Sequence, residues 1–158
     1  MSHLSVAVIS ENSPQRALFV SPEMRLEAVL ERLLEENTRK SIFLVNDEGV
    51  LTGIVNLKEL LVWGWLHLGL LNVPFPTLSE RKLRRLARSQ FAADLQIPNS
   101  QDMTISFQTS VEEAMDTLLL SSQDVVAVVN ENGRVINDLH IDDLLAYAVQ
   151  EAKGTIYA

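Results

Sequence analysis

Phe43-Leu44-Val45-Asn46-Asp47-Glu48-Gly49-Val50-Leu51 and Ala127-Val128-Val129-Asn130-Glu131-Asn132-Gly133-Arg134-Val135 lie 84 residues apart and carry one pattern twice. Val45 falls on Val129, Asn46 on Asn130 and Gly49 on Gly133. Each stretch reads as an apolar strand, a polar turn closed by glycine, and a second strand. Glycine supplies the positive φ that such hairpin turns need. The same offset carries Leu60-Leu61 onto Leu144-Leu145. Self-similarity at a fixed period is the mark of a repeat architecture.

Outward from the hairpins, each copy is preceded by an apolar pattern at helical spacing: Leu26, Val29, Leu30, Leu33 and Leu34 in one, Val111, Ala114, Met115, Leu118 and Leu119 in the other. Ala28 falls on Ala114, an offset of 86, so the second copy has lost two residues between helix and strand. Pro22 suits a helix N-terminus, and Thr109 or Ser110 suits a cap. A second helix follows each hairpin, over Leu57–Leu71 and Ile141–Lys153. The expected fold is α/β, with two interlocked β-α-β-β-α repeats related by a pseudo-two-fold axis. Residues 1–71 make the first repeat, 72–90 a helical insertion, and 91–158 the second repeat.

At 47% hydrophobic, the 158-residue chain can bury a core. It has no cysteine, which excludes disulfides and thiolate metal sites and fits a reducing cytoplasm. No secretory leader is expected at Met1–Ser10, and Leu60–Val73 is too short for a bilayer, which takes roughly 20 residues. The net charge is −8, yet five of the 13 Lys and Arg residues fall within Arg81–Arg88. Eight basic residues then face 21 acidic ones elsewhere, a balance that repels nucleic acid.

The repeat resembles the CBS motif, named for cystathionine β-synthase. The second copy carries the resemblance on Val111-Glu112-Glu113-Ala114-Met115, Val126 to Val135, and Asp143-Leu144-Leu145. The first carries it on Leu26-Glu27-Ala28-Val29, Ile42 to Gly49, and Gly53 to Leu61. It spans the chain from about Arg16 to Ala152. The resemblance implies a tandem pair folding as one unit and dimerising into a flat disc of four motifs. It also implies clefts for adenosine nucleotides or S-adenosylmethionine, and a regulatory role toward a separate partner protein.

In nucleotide-binding members of that family, the second hairpin strand runs through Gly, two apolar residues, Thr or Ser, two variable residues and Asp. There the acid accepts hydrogen bonds from the ribose diol, while the hydroxyl and the helix N–H groups hold phosphate. Here the first copy offers Gly53, Asn56 and Glu59; the second offers Asn137, His140 and Asp143. Both keep an acid at the right spacing, and neither keeps the full pattern. Glu59 is one methylene longer than Asp, and His140 is bulkier than Thr. The competing reading is structural. Asn56 with Glu59 resembles a helix capping box, and Asp143 suits the positive end of a helix dipole.

Asp138, His140, Asp142 and Asp143 surround one imidazole, an arrangement that can attract a divalent cation, although a solvated strand end is the simpler reading. No nucleophile–base constellation or phosphate loop stands out. Leu60 to Leu71 leaves hardly any polar face, which predicts burial in the core and at a subunit interface. Trp63 and Trp65 diverge by about 200° on a helix, too far for one core to cover both. The basic run reads as a solvated helix or as a clamp for phosphates or an acidic surface.

The chain is thus expected to be a cytoplasmic, non-catalytic CBS-pair module, a homodimer without bound metal. Its expected ligand is AMP, ADP, ATP or S-adenosylmethionine. The alternative is an interaction and dimerisation scaffold with degenerate clefts. A metal-dependent hydrolase built on Asp138–Asp143 is the remotest reading.

Overall fold

The computed structural model describes residues 4–67, 78–121 and 123–157, the last three without their side chains. Helix α1 (Val6–Asn12) precedes the first repeat: β1 (Ala17–Val20), α2 (Leu26–Glu35), β2 (Ser41–Val45), β3 (Leu51–Val55) and α3 (Leu57–His67). Helix α4 (Glu80–Arg88) and two short 3₁₀ turns, Ala92–Leu95 and Ser100–Asp102, lead to the second repeat. That repeat comprises β4 (Thr104–Ser106), α5 (Val111–Leu120), β5 (Val125–Val129), β6 (Val135–His140) and α6 (Ile141–Tyr157). The fold is α/β and twice β-α-β-β-α, as the repeat predicts. Leu68–Leu71, Pro74 and Pro76 lie outside the described residues.

Each repeat forms a three-stranded sheet with the β2-type strand in the centre, parallel to its first neighbour and antiparallel to its second. The hairpins agree in detail. Gly49 and Gly133 adopt φ of 81° and 77°. Asn46 Oδ1 accepts hydrogen bonds from the N–H groups of Glu48 and Val50, and Asn130 Oδ1 from those of Asn132 and Arg134. Asn and Gly recur in both copies because a side-chain acceptor and a left-handed residue close this turn.

Strand alternation divides the core. Ile42, Leu44 and Val55 face one cluster with α2 and α3, and Val126, Val128 and Leu139 face a second with α5 and α6. Phe43, Ile54, Val125 and Ala127 turn the other way and join the two sheets in a third cluster. The preceding segments are exchanged. Val6 and Ile9 of α1 pack into the second repeat's cluster, while Leu86, Ala92 and Leu95 pack into the first. The exchange is symmetric in its hydrogen bonds. Val111 N–H donates to Leu4 O at 3.0 Å, and Leu26 N–H donates to Gln90 O at 2.9 Å. Each bond satisfies a helix-start donor that would otherwise be orphaned.

Several local expectations are corrected. Pro22 does not open α2; it sits in a turn, and Arg25 precedes the helix without a side-chain cap. Of the two caps expected for α5, Ser110 is the one used, accepting from Glu113 N–H. The apolar stripes are wider than the buried ones: Leu34 and Leu119 are 79% and 74% exposed. In α3, by contrast, the expectation agrees with the structure: Leu60 and Trp63 are buried while Leu61 and Trp65 are exposed, since one core cannot cover both tryptophans.

Candidate functional site

Two clefts form where an exchanged segment passes the start of a repeat's last helix. The first, about 1070 Å³, lies between Glu59 of α3, helix α4, and Asp94 and Pro98 of the following segment. The second, about 350 Å³, lies between α1, Arg16, and Asp142, Asp143 and Tyr147 of α6. Of the six residues singled out in the sequence, only Glu59 and Asp143 line these walls.

At the first cleft, Asn56 precedes α3 and its Oδ1 accepts from Lys58 N–H at 2.8 Å. That cap leaves Glu59 free of capping duty, so the expected reciprocal box is not formed. Glu59 Oε1 instead lies 3.3 Å from both Lys82 Nζ and Arg85 Nη2 of α4. Helix α4 is fixed from below. Leu86 is fully buried, and the indole N–H of Trp63 donates to Ser89 O at 2.9 Å. Ser79 caps its start by accepting from Lys82 N–H. Gly53 sits behind the wall, where an added Cβ would lie 2.9 Å from Gln96 Oε1. On the same strand, Ile54 N–H donates to the Ser100 hydroxyl oxygen.

At the second cleft the corresponding groups are bound into the protein. Asn137 donates from Nδ2 to Ser10 O at 2.8 Å and accepts Asp138 N–H on Oδ1. His140 uses its backbone N–H to reach Asp143 Oδ2 at 2.8 Å, and its buried Nδ1 has no hydrogen-bond partner. Asp143, with a side chain 3% exposed, also lies 3.4 Å from Arg16 Nη1, which is 3.3 Å from Asp142. Lys40 approaches Asp142 from the rim. Asp138, buried nearby, accepts the backbone N–H of Arg16 at 3.1 Å. Burial and, to a lesser degree, the neighbouring Asp143 charge raise the Asp138 carboxyl above its ordinary value, against the lowering effect of that N–H. Among the described residues, no three or more His, Asp or Glu side chains converge as metal ligands.

Sequence reading missed Arg16, which stands immediately before β1 and meets Asp142 and Asp143 of α6 in the other repeat. The basic run was visible as the single cationic stretch of an acidic chain, but its pairing with Glu59 was not.

The CBS domain model matches residues 7–64 and 92–150, well over half of the chain. No curated protein matches by sequence. Among solved structures, the CBS-pair protein CBSX2 of Arabidopsis thaliana superposes with a TM-score of 0.68 at 20% identity, covering 96% of this chain and 99% of that one. CBSX2 is also known in complex with AMP. The CBS pair of protein MJ0100, in complex with 5-methylthioadenosine and S-adenosylmethionine, gives 0.65 at 15% identity over 95% and 99% of the two chains. The cytosolic domain of the Mg²⁺ channel MgtE, in complex with ATP, gives 0.61 at 22% identity over 84% of this chain and 45% of that one. Among the described residues, no helix is long and apolar enough to cross a membrane.

Proposed function

The chain belongs to the CBS-domain family, and from that premise we propose that it is a regulatory module whose first cleft holds an adenine nucleotide. The observation that carries this reading is Glu59. Its carboxylate stands on the wall of the larger cleft, its side chain is 20% exposed, and its two ion pairs to α4 are both recorded on Oε1. A carboxylate so placed can accept from a ribose diol. The complexes of similar folds with AMP, ATP and S-adenosylmethionine support the ligand class. The second cleft favours the scaffold reading for its own half, because the Asn137 and Asp143 side chains already have partners inside the chain. The proposal is thus one ligand site per chain, with no chemistry performed on the ligand.

Calorimetry with AMP, ADP, ATP and S-adenosylmethionine tests this. Binding should occur at one site, and Glu59→Ala should weaken it by about 1.5–3 kcal/mol. No heat with any of the four at millimolar ligand would reject the reading.

Signalling to a partner needs a surface. Leu61 and Trp65 on α3 are 58% and 44% exposed, and their repeat equivalents Leu145 and Val149 on α6 are 60% and 53% exposed. Both helices therefore show the same unpartnered apolar stripe, which supports a two-fold homodimer through α3 and α6. Light scattering should report a dimer that Leu61→Lys with Trp65→Lys converts to monomer; a wild-type monomer at high micromolar concentration would reject it.

A further inference from the structure

We propose that the basic face of α4 is a polyphosphate subsite of the first cleft, selecting an adenine nucleotide with two or three phosphates over a monophosphate. This rests on the nucleotide reading above and adds which nucleotide. Arg81, Lys82, Arg84, Arg85 and Arg88 all line the cleft, against Glu59, Glu80 and Asp94. The cleft wall is therefore net cationic in a chain of net charge −8. Three of the five cations have partners: Lys82 and Arg85 on Glu59, and Arg84 on Glu80 at 2.7 Å. Arg81 and Arg88 have no ion pair among the described residues, and both are exposed.

Spacing makes these two a set. Residues 81, 85 and 88 follow one helical stripe, and seven residues correspond to about 10 Å along the axis. A chain of phosphates can engage both ends without either side chain folding back, and guanidinium groups match phosphate oxygens in pairs. Helix α4 supplies the positive charge from the opposite wall, and Glu59 orients it through Lys82 and Arg85. Among the described residues, the second cleft's lining has Arg16 as its one Lys or Arg, and that residue is already shared between Asp142 and Asp143.

The test is calorimetry of the whole chain with adenosine, AMP, ADP, ATP and inorganic triphosphate. Affinity should rise from AMP to ATP by roughly ten-fold or more, and about 0.3 M salt should narrow the gap. Arg81→Gln with Arg88→Gln, checked for folding by circular dichroism, should remove most of that gain while changing AMP affinity by less than about three-fold. Lys153→Gln, a charge change on α6 outside the cleft lining, should leave both affinities in place. ATP binding no tighter than AMP, or a double variant that weakens both equally, would overturn the subsite while leaving the nucleotide reading intact. Inorganic triphosphate binding as tightly as ATP would overturn the nucleotide specificity and assign the groove to bare polyphosphate. Silence from every adenine ligand and triphosphate would overturn both.

Discussion

Glu59 and Asp143 are each the third residue of the helix that closes their repeat, yet they serve opposite ends. The difference starts one turn earlier. Asn56 caps α3 with its own side chain, so Glu59 is free to reach across to α4. His140 provides no such side-chain cap; its own backbone N–H turns to Asp143, which is drawn inward and then bound by Arg16. One exchange at the cap position, Asn for His, thus accompanies one open cleft and one consolidated cleft. The lesson is that an acid at conserved spacing within a repeat does not have a fixed role. Its neighbours decide whether it meets solvent and ligand or serves the fold.

The sharpest way to break this comparison is to remove each acid in turn. Asp143→Ala leaves Arg16 without its buried partner and His140 N–H without its acceptor, and should destabilise the protein by about 3 kcal/mol. Glu59→Ala removes two partly exposed pairs and should cost under about 1 kcal/mol of stability. Urea denaturation of both variants decides the matter. Equal losses would mean that the two carboxylates are equivalent after all. The ligand readout should invert the order, with Glu59→Ala the more damaging to nucleotide binding.

Much of the fold was legible because it is encoded locally. Asn46 and Gly49, with Asn130 and Gly133, close the turns by their own side-chain and backbone chemistry, so the hairpins follow from a few residues. The exchange of α1 with the Leu86–Leu95 segment was not legible. It depends on which repeat buries Val6 and Ile9, and helical periodicity marks a face as apolar without naming its partner. The same limit explains Leu34 and Leu119, which fit the apolar period but stay exposed. At the clefts, residue types identified Glu59 and Asp143 as acids at helix starts. What separates them is Arg16 on one side and Lys82 with Arg85 on the other, all distant in sequence.

A smaller effect, confined to the second cleft, sharpens the comparison through pH. Asp138 is buried beside Asp143, and its carboxyl is raised by desolvation first and by the Asp143 charge second. In the unfolded chain Asp138 titrates at its ordinary value, so within the window above that value the folded protein binds more protons than the unfolded one. Stability from this residue is fully present below the unfolded value and is lost as pH rises through the folded one. Asp138→Asn keeps an oxygen that can accept Arg16 N–H but cannot ionise. The variant should therefore gain on the wild type as pH climbs from the ordinary aspartate range toward neutrality, then run parallel to it. Denaturation midpoints at a series of pH values measure the difference directly. Parallel curves throughout, or a variant that loses ground as pH rises, would mean that Asp138 is not held against ionisation. The second cleft would then not be the consolidated, desolvated partner of the first.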